Sequence, residues 1–268
     1  HTVAIGARYN DGNGTNSGHV RIYNYNGTSW TQLGWDIDGE AADDQSGFSV
    51  SLSSDGHTVA IGARYNDGNG TNSGHVRIYN YDGWYWNQLG NDIDGEAAGD
   101  ECGYSVSLSS NGNAVAIGAQ NNDGNGTNSG HVRIYNYNGF SWTQIGQDID
   151  GEAALDKSGW SVSLSSDGNT VAIGAYKNDG NGNGSGHVRI YNYYGTGTSW
   201  TQLGQDIDGE AGGDQSGYSV SLSSDGNTVA IGARYNDGNG PDAGHVRIYK
   251  DPDCAGCMDP LALNYDST

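Results

Sequence analysis

Short blocks of apolar residues recur along the chain in a fixed order. The hexapeptide TVAIGA, once AVAIGA, begins at Thr2, Thr58, Ala114, Thr170 and Thr228, with steps of 56, 56, 56 and 58 residues. HVRIY follows every copy, SWTQLG or a close variant follows four copies, and SVSLSS precedes four copies. A register held over this distance indicates a folded module that repeats about every 56 residues.

The hydrophobic pattern of each complete module predicts four β-strands. GFSVSLSS alternates, with Phe48, Val50 and Leu52 on one face, whereas TVAIGA is a nearly continuous apolar run, as in a strand buried on both faces. HVRIYNY alternates again, and SWTQLG carries a tryptophan. The short SDG or SNG and NG or DG connections predict tight hairpin turns. No segment shows a helical period.

Four antiparallel strands in evenly spaced units predict an all-β chain that forms a β-propeller. A β-solenoid is the less favoured alternative. Five blade units are visible, at about 1–46, 47–102, 103–158, 159–216 and 217–250, and residues 251–268 predict the start of a further small module that contains cysteine. The outer two units are incomplete, since the first lacks SVSLSS and the last lacks SWTQLG. We therefore expect a part of a longer chain, or strands completed by a neighbour.

The order of Gly-aromatic-Ser-Val-Ser-Leu, Val-Ala-Ile-Gly-Ala and Gly-His-Val-Arg-Ile-Tyr resembles the FG-GAP repeat over residues 1 to about 250. This repeat is the blade of integrin alpha-subunit propellers and of many secreted microbial and algal proteins. In integrins an Asp-rich calcium loop joins the first and second strands. The corresponding connection here runs only from Ser54 to His57, so the calcium site of that family is not carried over.

Composition narrows the classes of partner. The 268 residues include 11 Lys and Arg against 32 Asp and Glu, for a net charge of -21. This charge argues against nucleic acid, which needs clustered cations, and no apolar run approaches the roughly 18 residues of a membrane span. The Asp and Glu residues lie mainly in predicted loops, so we expect rings of carboxylate at the loop faces. A divalent cation there would reduce the repulsion between the carboxylates.

The loop after TVAIGA is the first candidate metal site. It reads NDGNG in every unit, and its glycine-spaced Asp and Asn oxygens resemble the start of a calcium loop. The predicted Ca²⁺ ligands are Asp11, Asn13, Asp67, Asn69, Asp123, Asn125, Asp179, Asn181, Asp237 and Asn239. The alternative is a loop stabilised by side-chain hydrogen bonds to its own backbone.

The acidic DIDGE segment is the alternative metal site. In the first unit it supplies Asp36, Asp38, Glu40 and Asp44, and the same pattern recurs in three further units. Four carboxylates within nine residues repel one another unless a cation or an arginine compensates, and the arginine of HVRIY is available for this. The histidine of HVRIY is expected to pack between blades, because each blade offers only one.

Modification sites complete the candidate residues. Sequons predict glycosylation at Asn13, Asn26, Asn69, Asn125 and Asn183, and a glycan on Asn13 would compete with calcium there. Cys254 and Cys257 are expected to form disulfides in an extracellular module, whereas Cys102 is expected to be a free thiol.

The predicted function is structural rather than catalytic. The chain has no nucleophile elbow, phosphate loop or HExxH motif, and identical repeats suit multivalent binding. We expect a secreted or cell-surface propeller module with a structural or adhesive role, stabilised by calcium within a larger surface or filament assembly. Its expected partners are other extracellular proteins, copies of itself and glycans. The alternative is a lectin that uses loop aromatics such as Tyr9, Tyr65 and Tyr235, and a hydrolase ranks third.

Overall fold

A computed structural model describes residues 1–195 and 199–250. These residues contain strands and no helix, so they include no helix able to cross a membrane. The strands are β1 Thr2–Ala7, β2 His19–Tyr25, β3 Trp30–Gln32, β4 Ile37–Asp38, β5 Ser49–Leu52, β6 Thr58–Ala63, β7 His75–Tyr81, β8 Trp86–Gln88, β9 Ile93–Asp94, β10 Ser105–Leu108, β11 Ala114–Ala119, β12 His131–Tyr137, β13 Trp142–Gln144, β14 Ile149–Asp150, β15 Ser161–Leu164, β16 Thr170–Ala175, β17 His187–Asn192, β18 Thr201–Gln202, β19 Ile207–Asp208, β20 Ser216–Leu222, β21 Thr228–Ala233 and β22 His245–Lys250.

The strands form five antiparallel sheets, one for each repeat, and this confirms the all-β propeller fold. In the second sheet the order is β5, β6, β7 and β8, with Ser49 paired to Gly62 and Tyr81 paired to Trp86. The VAIGA strand therefore lies inside the blade, and in β6, β11 and β16 all of its residues are buried. The continuous apolar run is explained by burial of both faces.

A short strand of Ile and Asp extends the outer edge of each of the first four sheets. In the second blade β9 pairs with the start of β7, where Val76 faces Ile93, while β8 pairs with the end of the same strand. Burial of the isoleucine drives this pairing, because Ile93 is 6% exposed. The expectation that the whole DIDGE segment is a loop is therefore wrong for Ile37, Asp38 and their repeats.

Consecutive blades pack closely because glycine stands where their backbones meet. A Cβ added to Gly62 would overlap the carbonyl oxygen of Gly103 in the next blade, and Gly118 faces Gly159 in the same way. The Ser49 hydroxyl donates to that Gly103 carbonyl at 2.7 Å. Small residues thus set the inner spacing of the sheets, and β5, β10, β15 and β20 line the inner edge of the stack.

Apolar and polar contacts share each interface between blades. In the first interface Val20 and Ile22 of one blade pack against Val59 and Ile61 of the next. Farther out, the indole N–H of Trp86 donates to the Leu33 carbonyl at 2.9 Å, and the same bond recurs for two later tryptophans. The interface is therefore fixed at its inner edge, core and outer edge.

Replacing Gly118 with alanine tests the close backbone contact. We expect Gly118→Ala to lower the free energy of unfolding by about 1–3 kcal/mol, the usual effect of overpacking, because the new methyl group meets a rigid carbonyl. Gly232→Ala is the matched control, since its new methyl group meets only the movable Ser219 hydroxyl. Urea unfolding followed by tryptophan fluorescence measures both, and equal losses would contradict the packing argument.

Candidate functional site

Most of the acidic residues lie at one end of the blades, which we call the loop face. Because neighbouring strands are antiparallel, the end of β6 adjoins the starts of β5 and β7, and β9 pairs with that start of β7. The NDGNG loops, the DIDGE segments and the histidines of HVRIY therefore share this face. The hairpin turns between β5 and β6 and between β7 and β8 lie at the opposite end.

The NDGNG loops are held by side-chain hydrogen bonds. The Asp11 carboxylate accepts the Asn16 backbone N–H at 2.8 Å, and the Asn10 side chain accepts the Gly12 N–H at 2.8 Å. The Asn13 amide donates to the Gly39 and Glu40 carbonyls at 2.8 and 3.2 Å, and the same bonds tie the next three loops to the DIDGE segments that follow them. The predicted calcium ligands thus carry structural bonds, and calcium there stays a prediction.

The asparagines of the predicted glycosylation sites and the cysteines lie in different environments. Asn13 uses its amide nitrogen in those two bonds, so a glycan on that nitrogen would replace one of its two hydrogens. Asn26 and Asn183 are exposed in turns. Cys102 is buried as a free thiol whose pKa burial raises to about 11. Cys254 and Cys257 lie outside the described residues, and the glycosylation sites stay predictions.

The four carboxylates of the DIDGE segment separate into two environments. Asp44 is buried, and its Oδ2 atom accepts the Ala41 N–H and the Asn66 amide, each at 3.0 Å. Asp44 therefore stabilises the loop through these hydrogen bonds and lies apart from the other three carboxylates. Asp36 and Asp38 lie beside His19 of their own blade, whereas Glu40 reaches the next blade.

The arginine of HVRIY binds a backbone carbonyl and a glutamate of the preceding blade, and we call this pair of contacts the clasp. Arg77 donates to the backbone carbonyl of Asp38 at 2.7 Å and lies 3.4 Å from a Glu40 oxygen. Arg133, Arg189 and Arg247 repeat both contacts. The expected pairing of this arginine with a DIDGE carboxylate is thus present, and it runs between blades.

A histidine and two carboxylates meet at the first three of the four interfaces between the described blades. His75 Nδ1 lies 3.8 Å from Glu40 of the preceding repeat and 3.6 Å from Asp92 of its own repeat. We call such a set an interface triad, and the three complete triads are Glu40, His75 and Asp92; Glu96, His131 and Asp148; and Glu152, His187 and Asp206. Sequence reasoning treated the histidines and the carboxylates separately, because only blade stacking brings them together.

Electrostatics keep the triad histidines uncharged at neutral pH. Burial, reinforced by the nearby arginine charge, lowers the pKa of His75, His131 and His187 to about 4. Burial raises the pKa of Glu40, against the opposite effect of Arg77, and the same holds for Glu96 and Glu152. A neutral imidazole therefore sits beside two half-exposed carboxyl groups.

Aromatic residues at the starts of the inner strands form a continuous row on the loop face. Ring centroids are 4.9 Å apart for Phe48 and Tyr104, 4.6 Å for Tyr104 and Trp160, and 5.2 Å for Trp160 and Tyr218. We call these four residues the mouth cluster, because the inner strands at whose starts they lie line the inner edge of the stack. Tyr176 packs on Trp160 at 4.3 Å.

Arginines stack on the mouth cluster. Phe48 lies between the guanidinium groups of Arg8 and Arg64, at 5.0 and 4.0 Å, and Arg234 covers Tyr218 at 4.0 Å. Tyr9, Tyr65 and Tyr235, the tyrosines of the lectin alternative, each lie under one of these arginines. Cation–π contacts of this kind hold a guanidinium group in a fixed orientation.

Most of the lysine and arginine residues lie in one of two places. Five arginines belong to HVRIY, and Lys250 ends β22. The other five cations stand at the ends of the VAIGA strands or just before the mouth cluster, and they are Arg8, Arg64, Lys157, Lys177 and Arg234. The repeats also differ from one another here, since the residue after VAIGA is arginine, glutamine or tyrosine. The mouth is therefore an asymmetric, aromatic and basic centre within an acidic face.

Arg133 and Arg21 form a matched pair that tests the clasp. Arg133 is buried against the preceding blade, whereas Arg21 is 44% exposed and pairs with Asp36 of its own blade. We expect Arg133→Met to lower the free energy of unfolding by about 3 kcal/mol, as for a broken buried pair. Arg21→Met should cost much less, because solvent screens an exposed pair. Chemical denaturation measures both, and similar losses would show that the clasp does not stabilise the interface.

Comparison with known proteins agrees with this geometry. The family model described as FG-GAP repeat matches residues 37–79, 93–135, 149–191 and 207–249. Each match runs from the short Ile-Asp strand of one blade to the HVRIY strand of the next, and so spans one interface. No curated protein sequence matches the chain significantly.

Two solved structures are similar to the chain to different degrees. A protein of Bacteroides uniformis, described as a candidate 6-phosphogluconolactonase, is similar with a TM-score of 0.56 and 11% identity. The alignment covers 93% of this chain and 64% of that protein, so the chain spans less than two thirds of its length. Hydrazine synthase of Kuenenia stuttgartiensis is similar with a TM-score of 0.46 and 14% identity, over 76% of this chain and 45% of that one.

At these identities the structural similarity concerns the fold alone. The four family matches together cover more than half of the chain, and they coincide with the stacked antiparallel sheets. The chain therefore belongs to the FG-GAP repeat family.

Proposed function

We propose that this chain is an extracellular adhesive and structural propeller module within a larger surface or filament assembly, and that it binds its partner at the mouth cluster. FG-GAP repeats are typical of extracellular proteins. The observation that carries the proposal is the aromatic and basic mouth on a chain whose net charge is -21. Aromatic residues and arginine are the residue types that dominate binding energy at protein interfaces.

The groups at the mouth suit binding better than catalysis. Glu101 lies 3.8 Å from Arg64 and accepts a hydrogen bond from Gln120 at 2.9 Å. Arg64 in turn stacks on Phe48. These contacts hold charged groups in place for recognition, and they do not pair a nucleophile with a base. We therefore propose a module that is not an enzyme.

The charge pattern favours an acidic partner. The NDGNG and DIDGE carboxylates lie on the same face as the mouth, so a basic centre shares that face with many acidic groups. An acidic loop of a second copy, or of another extracellular protein, complements the mouth, because opposite potentials attract and fix orientation. Self-association between copies is the form of adhesion that this arrangement supports best.

A carbohydrate ligand is the second candidate. Tyr9, Tyr65 and Tyr235 present rings at the edge of the mouth beside Arg8, Arg64 and Arg234. Aromatic faces pack against sugar rings, and arginine binds carboxylate groups in a bidentate manner. This chemistry selects an acidic polysaccharide.

Bead aggregation separates these two functions. Beads coated with the chain should aggregate, and Arg64→Ala combined with Trp160→Ala should reduce the rate about tenfold, the effect of removing interface hot spots. Trp84→Ala and Phe140→Ala are matched controls, because both aromatics are exposed at hairpins on the opposite end.

Binding to immobilised polygalacturonate, measured on the same proteins, is the second readout. Retention by the wild-type chain that is lost in the mouth variant, without bead aggregation, would favour the lectin. Aggregation and retention that are unchanged in a folded mouth variant would overturn the assignment of the mouth as the binding surface. Circular dichroism establishes that each variant is folded.

Calcium stabilisation is the second part of the proposal. A site with ligand at a hundred times its Kd gains about 2.7 kcal/mol, so removal of calcium with EGTA should lower Tm by at least about 5 °C. Asp67→Asn combined with Asp123→Asn should reduce this shift, because asparagine keeps the Oδ1 bonds to the backbone but removes the charges. Asp82→Asn, in a hairpin turn on the opposite end, is the control. A Tm that does not respond to EGTA would exclude calcium stabilisation.

A further inference from the structure

We propose that the interface triads bind divalent transition-metal ions of the Zn²⁺ class, one ion at each of the three interfaces that hold a complete triad. The ligands are the histidine Nδ1 atom, an Oδ2 atom from the aspartate of the same repeat and an Oε2 atom from the glutamate of the preceding repeat. These sites differ from the predicted calcium loops in residues and donor atoms. The inference does not depend on the proposed adhesive function.

The spacing of the donor atoms suits a bridging ion. The distances from histidine Nδ1 to the two carboxylates are 3.6–3.8 Å for His75, 3.8–4.0 Å for His131 and 3.7–3.8 Å for His187. These distances are too long for hydrogen bonds. Two ligands bound tetrahedrally at about 2.1 Å lie about 3.4 Å apart, so small side-chain movements would close each site.

A buried nitrogen points into the site without a partner. His187 is 1% exposed, and its Nδ1 atom has no hydrogen-bond partner within residues 1–195 and 199–250. The nearest carboxylate oxygens, from Glu152 and Asp206, are the ones that complete the triad. A buried polar atom left unsatisfied costs free energy, and a metal ion at this position would satisfy it.

Each carboxylate is oriented by a neighbour through its other oxygen. Arg189 lies 3.8 Å from Oε1 of Glu152, so Oε2 faces His187. Gln202 donates to Oδ1 of Asp206 at 2.7 Å, so Oδ2 faces the same histidine. Groups that hold the ligands of a metal from outside in this way are a regular part of metal sites.

The donor set and the charge select the class of ion. Imidazole nitrogen and carboxylate oxygen are both donor types that zinc accepts, and three such ligands leave the fourth tetrahedral position open, whereas calcium prefers six to eight oxygens. Two carboxylates beside one arginine leave a local charge that a divalent ion compensates. Asp206 and Asp208 also line an open cleft of about 500 Å³, which gives an ion a path from solvent.

The first and fifth repeats provide internal contrasts. His19 lies near Asp36 and Asp38, but Arg21 engages both oxygens of Asp36. His245 lies 3.8 Å from Glu210, and no second carboxylate completes a triad within the described part of that repeat. The inference therefore assigns three ions to the described blades.

Cobalt titration tests the inference on the intact chain. Co²⁺ bound to histidine and carboxylate gives visible absorption, and we expect three equivalents that Zn²⁺ displaces and Ca²⁺ does not. His187→Gln should remove one equivalent, because glutamine cannot supply the Nδ1 ligand. His57→Gln, at an exposed turn outside the triads, is the matched control and should retain all three. The difference between variants cancels any ion bound elsewhere on the chain.

A second variant keeps the test decisive if the buried histidine is needed for folding. Glu152 is exposed enough to be replaced without creating a cavity, and Glu152→Gln should weaken one site at least tenfold while the chain stays folded. Unchanged cobalt binding in His187→Gln and Glu152→Gln, or no cobalt binding by the wild-type chain, would overturn the inference. Bead aggregation would be unaffected by that outcome, so the failure of one proposal is distinguishable from the failure of the other.

Discussion

The contact between glycine backbones of consecutive blades is the constraint on which the rest of the structure depends. Gly62 and Gly103, like Gly118 and Gly159, allow two sheets to approach more closely than any side chain would permit. This spacing lets valine and isoleucine fill the interface completely. It also brings the clasp arginine within reach of the preceding blade. Loss of the inner contact would therefore affect packing and electrostatics together.

The same stacking creates the chemistry of the loop face. No single repeat contains an interface triad, because the glutamate comes from one blade and the histidine and aspartate come from the next. The clasp arginine holds one oxygen of that glutamate and leaves the other directed at the histidine. The ion pair between this arginine and the glutamate thus orients a carboxylate that is a candidate metal ligand. The mouth cluster is also assembled by stacking, since the second to fifth blades each contribute one of its aromatic rings.

The sequence predicts the blade well and the site poorly, for a physical reason. Strand order and the burial of VAIGA follow from local hydrophobic patterns, which the repeats display several times over. The short strand at Ile93 was missed because two residues carry no period, and only its pairing with Val76 defines it. The triads and the mouth depend on distances between residues of different repeats, such as Glu40 and His75. Their constant separation along the chain was visible, but its meaning depends on how blades stack.

The hydrogen bonds between consecutive blades also bear on the order in which the blades fold during synthesis. Arg77 and Trp86 donate to carbonyls of the preceding blade, and the backbone N–H of Leu108 donates to the hydroxyl of Ser51. During synthesis the acceptors of these three bonds thus leave the ribosome before their donors, whereas the Ser49 hydroxyl, which donates to Gly103 of the next blade, leaves before its acceptor. Each new blade can dock on a finished surface as it emerges, as in repeat proteins whose units contact only their neighbours. The chain is thereby suited to fold from its N-terminal side, one blade at a time.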